Sequence, residues 1–219
     1  RCRNVNSLIG ESGEAVLEQK ERLVSLLEAI GLGGGEAQSI ADAVTDFLDE
    51  DSNVEPQGAE DGFYTALATP FRTAGGPIAA VSELRAVDGV TREIYTRIAP
   101  FLCARMAGQK IQINVNALRV EDAPLIYAVT KGTWPLAEIR AQIAERPPGG
   151  WQPDAGAFWA TFPNPAGLVL TEETNTRSTW VEARVFLEAD QRFVEETLLV
   201  EALGTGNPSL QVRVFGGGE

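Results

Sequence analysis

The 219-residue sequence contains no histidine, and this absence excludes several kinds of active site. A Ser-His-Asp triad, a Cys-His pair and any zinc site with a histidine ligand all require imidazole. The chain has 2 cysteines, too few for a four-cysteine zinc site or for holding an iron–sulfur cluster alone. These classes of enzyme and metalloprotein are therefore excluded before any motif is considered.

Basic residues and long apolar runs are also scarce. The chain has 18 Lys+Arg against 31 Asp+Glu, a net charge of −13. This balance argues against a protein that follows nucleic-acid phosphates, and it suits hard cations with oxygen ligands or a basic protein partner. No apolar run approaches the ~20 residues of a membrane helix. Because the first residue is Arg1 rather than Met, we expect that any signal or anchor lies upstream of this sequence.

The hydrophobic content of 44% is that of a soluble globular protein, with length for one large or two small domains. Up to about residue 150, apolar residues recur at helical spacing. This spacing predicts a helical domain over residues 1–150 with helices at 12–30 and 36–48, followed by two helix-hairpin-helix-like units at 82–98 and 122–143.

After residue 150 the pattern changes to partial alternation, which is typical of half-buried strands. It predicts a small antiparallel sheet domain over 151–219, with strands at 180–188, 193–200 and 211–215, a turn at 189–191 and a further strand near 167–170. The fold class predicted from the whole pattern is therefore α+β.

A repeated asparagine motif and two cysteines bear on how the helical domain is held together. The run Asn4-Val5-Asn6 recurs as Asn114-Val115-Asn116, and each copy precedes a helical unit, which favours a structural role for these asparagines. Cys2 and Cys103 either form a disulfide in an oxidising compartment or remain two unpaired cysteines. The sequence leaves both possibilities open.

An acidic loop at residues 49–61 is the most informative segment for chemistry. If Asp49 is taken as position 1 of a calcium loop, oxygen donors fall at positions 3, 5 and 12, which are Asp51, Asn53 and Glu60. Val54 occupies position 6, where an EF-hand requires glycine, so this is not an EF-hand. The alternative is a solvated acidic loop without an ion, although mutual repulsion of its carboxylates favours a cation.

Two other functions remain as alternatives. The helical hairpins suggest a helix-hairpin-helix DNA-binding module, but Asp88 beside the Gly89 turn would repel phosphate. A carboxylate-based glycosidase needs only Asp and Glu, and the tryptophans offer stacking surfaces for sugars. No carboxylate pair is distinguished as catalytic in a chain with 31 acidic residues.

Several short segments, in this order and spacing, carry a resemblance that covers residues 3–145: 46–52 (DFLDEDS), 58–64 (GAEDGFY), 81–85 (VSELR), 98–101 (IAPF) and 113–117 (INVNA). The sequence resembles the type II secretion minor pseudopilin K family. It departs from that pattern at Phe47, where the family usually has Trp, and it follows the family only loosely beyond Ala117.

The resemblance implies a pilin-like antiparallel sheet with a large inserted SAM-like helical domain and an N-terminal pilin helix that lies outside this sequence. It implies a non-enzymatic subunit at the tip of the pseudopilus, on the periplasmic side of the inner membrane. Its partners would be the I- and J-type minor pseudopilins, together with the major pseudopilin and secreted proteins. It also implies bound calcium, with Asp49, Asp51, Glu60 and Asp61 as ligands, whereas Asn53 rests on spacing alone.

Overall fold

The computed structural model describes residues 1–163, 170, 173–189, 192–201 and 208–215. The chain divides into two compact units, Arg1–Thr176 and Arg177–Glu219. The helical unit therefore extends well beyond the boundary that the sequence pattern placed near residue 150. The predicted turn at 189–191 and the predicted strand near 167–170 fall almost entirely outside the described residues.

The first unit is mainly helical. Its α-helices are α1 (Leu17–Ala29), α2 (Gly34–Leu48), α3 (Asp61–Thr65), α4 (Arg92–Ile98), α5 (Ala123–Val129), α6 (Leu136–Ala144) and α7 (Gly156–Trp159). Short 3₁₀ helices span Val5–Leu8, Val81–Ala86, Ala99–Phe101, Val115–Ala117 and Val120–Asp122. Both helical hairpins are present, although a 3₁₀ helix forms the first arm of the first one. Gly89 and Gly132 adopt positive φ at the two turns, as a sharp reversal requires.

The sequence repeat corresponds to a repeated local structure. Strand β1 (Arg3–Asn4) pairs in parallel with β2 (Leu102–Cys103), and β3 (Ile113–Asn114) pairs in parallel with β4 (Thr174–Asn175). Asn4 and Asn114 each accept a hydrogen bond from the backbone N–H two residues later, at 3.2 and 2.9 Å. In each copy of the repeat, a two-residue strand therefore ends in an asparagine that caps the following 3₁₀ helix.

The second asparagine of each copy ties distant loops together. Asn6 donates to the carbonyls of Ile78 and Arg105 and accepts from the Ile78 N–H. Asn116 likewise donates to the carbonyl of Trp151 and accepts from its N–H, at 3.2 and 2.7 Å. A disulfide joins Cys2 to Cys103 beside the β1–β2 pair, which settles the question that the sequence left open.

Two hydrophobic clusters form the core of the helical unit. The first contains Leu26, Leu27, Leu48 and other buried side chains between residues 5 and 128. The second lies between residues 113 and 170 and includes Trp134 and Trp151, each 6% exposed. These tryptophans stabilise the fold by burial and are not available as an exposed sugar platform.

The second unit is a three-stranded antiparallel sheet in the order β5 (Trp180–Ala189), β6 (Arg192–Glu201) and β7 (Ser209–Phe215). The β6–β7 register shifts at Leu199/Val200, which is the mark of a β-bulge. The three strands agree with the alternation in the sequence to within two residues at each end. Within the described part of the chain, none of the helices combines the length and the apolar character needed to cross a membrane.

Candidate metal centre

The end of α2 and the start of α3 bring three carboxylates together. Asp49 is the residue that follows α2, Glu60 immediately precedes α3, and Asp51 lies in the loop between them. One carboxylate oxygen of each residue lies within 4.8 Å of the others. A cation bound by oxygens at about 2.3–2.6 Å requires ligand oxygens at such separations. Asp49 and Glu60 are buried, at 4% and 8% exposure, whereas Asp51 faces solvent.

Two of these carboxylates lack the hydrogen bonds that their burial demands. Among the described residues, Asp49 Oδ1 and Glu60 Oε1 are buried without a hydrogen-bond partner. An unpaired carboxylate oxygen removed from water costs free energy, because nothing replaces its hydration. A bound cation would satisfy both atoms at once, so the donor set fits a hard metal ion.

The electrostatics of the cluster point the same way. Burial, followed by the charges of Asp51 and Glu60, raises the pKa of Asp49 to about 7. Burial also raises the pKa of Glu60, and it raises that of the neighbouring Asp46 to about 6. Asp49 additionally lies at the carboxyl end of α2, where the helix dipole is negative. Each of these effects disfavours the ionised carboxylates, and each would be offset by a cation.

The loop is attached to the helices by backbone hydrogen bonds. The Glu55 N–H donates to Asp46 at 3.1 Å, and the Gln57 N–H donates to Asp42 at 3.3 Å. Lys20, on α1, forms ion pairs with Asp42 at 3.2 Å and with Glu55 at 2.8 Å. Burial alone would lower the pKa of Lys20, but its bonds to Glu55 and Asp42 outweigh this effect and raise it. The acidic loop is therefore held against α1 and α2.

A glycine allows this close approach. A Cβ atom on Gly58 would lie 2.0 Å from an Asp46 carboxylate oxygen, well inside contact distance. A side chain at position 58 would therefore force the Asp46 carboxylate or the loop to shift.

The structure brings together only some of the five residues predicted as ligands. It brings together Asp49, Asp51 and Glu60. Asp61 instead accepts hydrogen bonds from Thr73 and pairs with Arg72 at 2.7 Å, and these interactions lower its pKa, the Thr73 bonds most of all. Asn53 is exposed and donates its backbone N–H to Asp51 at 2.6 Å.

Sequence reasoning missed the residues that support the cluster. Asp42 and Asp46 lie in a helix and Lys20 lies far from the loop in sequence, so the loop spacing gave no indication of them. The available signal was the pair of aspartates four residues apart on α2. They lie on one helix face and lead directly into the acidic loop. Both are buried, at 1% and 0% exposure, and burial is compatible with their charge because Asp42 pairs with Lys20 and Asp46 accepts from the Glu55 N–H.

Comparison with known proteins is informative over most of the chain. Residues 1–107 and 113–170 match two domains described as type II secretion system (T2SS), protein K. The type II secretion system protein K of Aeromonas hydrophila is 31% identical over 99% of this chain and 68% of its own length. That of Pectobacterium carotovorum is 36% identical over 68% of this chain and 47% of its own length. This chain therefore spans only part of the length of each relative.

A solved structure agrees with these matches. A chain in the crystal structure of the GspK-GspI-GspJ complex from the type 2 secretion system of enterotoxigenic Escherichia coli is similar, with a TM-score of 0.80 and 26% identity. The similarity covers 99% of this chain and 76% of that chain. These matches do not favour either alternative function, a DNA-binding module or a glycosidase.

Proposed function

Because the chain belongs to the type II secretion system protein K family, we propose that it joins I- and J-type minor pseudopilins in a complex that supports protein export. One observation carries this proposal: nearly the whole chain superposes on a chain of a GspK-GspI-GspJ complex. Deletion of its gene should abolish appearance of type II substrates in the culture medium, and the intact gene should restore it. Normal export after deletion would contradict the proposal.

The subunit occupies the tip of the pseudopilus in this proposal, and its role is binding rather than catalysis. The size of the helical unit, Arg1–Thr176, supports a terminal position, because such a bulky unit on every subunit would obstruct stacking along a filament. Gold-labelled antibodies against this unit should mark one end of isolated pseudopili. Labelling along the whole filament would contradict the tip position.

The same proposal locates the chain on the periplasmic side of the inner membrane, anchored by a segment that precedes Arg1. The disulfide between Cys2 and Cys103 supports an oxidising compartment. Contacts with the major pseudopilin and with secreted proteins belong to the same proposal. Cell fractionation should recover the natural full-length protein with inner membranes, and its recovery in the cytosol would contradict this placement.

The acidic loop binds calcium in the proposed function. Asp49, Asp51 and Glu60 would hold the ion, because their oxygens converge and two of them are buried without a partner. Calcium would neutralise the carboxylates and order the loop. The exposed Asn53 amide would contribute at the open side, while Asp61 would have to exchange its bonds with Thr73 and Arg72 for the ion.

A thermal melt tests the metal proposal. Calcium should raise the melting temperature of the parent protein relative to a chelator, because it binds only the folded loop. Asp51→Ala should remove most of this increase, whereas Glu138→Gln, an exposed change on α6, should leave it intact. An equal melting temperature of the parent protein in calcium and in chelator would contradict the proposal.

A further inference from the structure

One face of the β5–β6 hairpin carries an ordered group of aromatic and acidic side chains. In the register of the two strands, Phe186 lies opposite Glu195 and Glu188 lies opposite Phe193. Residues two apart on a strand share a face, so all four side chains project from the same side of the sheet. The phenylalanines occupy one diagonal and the glutamates the other. We refer to Phe186, Glu188, Phe193 and Glu195 as the Phe–Glu square.

The square is open to solvent and has no internal cation. Phe186 and Phe193 are 70% and 77% exposed. Among the described residues, neither Glu188 nor Glu195 forms an ion pair. The nearest arginine on the same face of β5 is Arg184, and it pairs with Glu182 at 3.0 Å. Two exposed phenyl rings beside two carboxylates that pair with no described cation are an unfavourable surface in isolation, because the rings are hydrated and the charges repel.

On the opposite face of the same sheet, an arginine bridges a similar phenylalanine–glutamate pair. There Phe215 lies opposite Glu196, again one phenylalanine beside one glutamate. Arg213 lies over the Phe215 ring, 4.6 Å from its centroid, and also forms an ion pair with Glu196. The guanidinium thus binds the electron-rich ring face and the carboxylate together. The Phe–Glu square has the same pairing twice, and no arginine side chain that the structure describes lies between its residues.

We propose that the Phe–Glu square is a docking surface for a partner chain that inserts an arginine or lysine between the two phenylalanines. The cation would contact the aromatic faces and pair with Glu188 or Glu195, as Arg213 does within the sheet. An apolar neighbour in the partner segment would cover the remaining ring surface. This inference rests on the proposed function, because the partner is one of the I- or J-type minor pseudopilins.

Charge favours such a partner over a second copy of this chain. The whole protein carries a net charge of −13, so two copies repel each other at any acidic surface. A basic segment is attracted instead, and the attraction should weaken as salt is added. Docking on this face therefore predicts a hetero-complex whose affinity depends on salt.

The test measures the affinity of this chain for a mixture of the soluble domains of the I- and J-type pseudopilins from the same organism. Two double variants remove the two halves of the chemistry: Glu188→Gln with Glu195→Gln, and Phe186→Thr with Phe193→Thr. The control, Glu138→Gln with Glu145→Gln, makes the same charge change at exposed positions of the helical unit. Circular dichroism melts verify that every variant is folded.

Both square variants should raise the dissociation constant about tenfold or more at low salt. The control should stay within about twofold of the parent, and the Glu-to-Gln variant should lose most of the salt dependence. A photo-crosslinking amino acid at position 193 should form adducts with a basic segment of a partner. This second measurement does not depend on the stability of the double variants.

Three results would overturn the inference. Unchanged affinity of both square variants, with normal binding by the parent, would refute the docking surface and leave the proposed complex intact. Crosslinking of position 193 to a second copy of this chain would replace the partner with a homodimer. Absence of any binding by the parent protein would refute both the inference and the proposed function.

Discussion

At the scale of single residues, Asp49 is held in an environment that opposes ionisation of its carboxylate. Its carboxylate is 4% exposed, lies at the negative end of a helix, and has Asp51 and Glu60 beside it. Proton uptake or a bound cation can each relieve this arrangement, and the two compete for the same oxygens. The stability of the protein should therefore depend on pH in one way without calcium and in another way with it.

Without metal, Asp49→Asn should stabilise the protein near pH 8. The pKa of Asp49 rises from 3.8 to about 7 on folding, so the folded state holds its proton where the unfolded chain has lost it. The stability contributed by this residue is therefore lost as pH increases through that interval. Asparagine does not titrate, so the variant should gain on the order of 4 kcal/mol over the parent above pH 7 and little below pH 4.

Chemical denaturation in chelator at several pH values measures this difference. Added calcium should reverse the order near pH 8, because the parent binds the ion and the variant lacks a charged ligand. A variant that is less stable than the parent in chelator at pH 8 would contradict the raised pKa.

A second prediction at this scale concerns Asn6. Its side chain is 1% exposed and satisfies three backbone groups on residues 78 and 105. Asn6→Ala leaves these groups buried without partners and should lower the free energy of unfolding by about 2–4 kcal/mol. Asn175→Ala, which removes an exposed contact with Gln112, is the matched control and should cost much less. Equal effects would show that Asn6 does not hold the two loops.

At the scale of secondary-structure elements, the disulfide links the start of the chain to the middle of the helical unit. It joins residues separated by 101 positions and adjoins the parallel β1–β2 pair. That pair consists of two residues from each strand, so backbone bonding alone gives it little stability. The covalent link therefore adds to the side-chain hydrogen bonds of Asn4 and Asn6 in holding the start of the chain beside residues 102–109.

Cys2→Ser together with Cys103→Ser should lower the stability of the helical unit by about 2–5 kcal/mol, because the unfolded chain regains the entropy that the link removes. Urea denaturation monitored by circular dichroism checks this value. The reduced parent protein should behave like the double variant. If reduction leaves the denaturation midpoint unchanged, the disulfide has no stabilising role.

The acidic loop depends in turn on Gly58. Gly58→Ala places a Cβ against the Asp46 carboxylate, so the bond from the Glu55 N–H should break and the loop should shift. We expect a loss of about 1–3 kcal/mol and weaker calcium binding. Calorimetric titration with calcium checks the binding, and Gly35→Ala on α2, where a Cβ meets nothing within 4 Å, is the control. Unaltered calcium affinity would contradict the role of Gly58.

The periodic elements were predictable from the sequence, and the contacts between distant elements were not. Helices α1 and α2 and strands β5 to β7 follow apolar periodicity, which depends only on neighbouring residues. The unit boundary was placed too early, because residues 151–162 lack a long periodic run. They still belong with the helices, since Trp151, Phe158 and Phe162 are buried in the second core.

The same distinction between local patterns and distant contacts applies to the candidate site. Loop spacing identified Asp49, Asp51 and Glu60 because their separations within one short segment constrain them. It also nominated Asp61, whose partner Thr73 comes from a different loop. Lys20 and Asp42 were missed because their bonds with the acidic loop, an ion pair with Glu55 and a hydrogen bond from the Gln57 N–H, form only in the tertiary structure. Resemblance to a family supplied the expected partners, which no local pattern of residues could have identified.

At the scale of the whole molecule, the two units carry different parts of the proposed function. The helical unit contains the disulfide and the candidate calcium loop, and it accounts for most of the chain. The sheet unit presents exposed apolar and acidic residues that suit contact with other chains. In the proposed function, these features belong to one subunit that acts by assembly.

Native mass spectrometry of this chain mixed with the soluble domains of the I- and J-type pseudopilins from the same organism tests this account most directly. It predicts a complex that contains one copy of each of the three chains. Detection of only the three separate chains, at concentrations where folded controls remain intact, would contradict it.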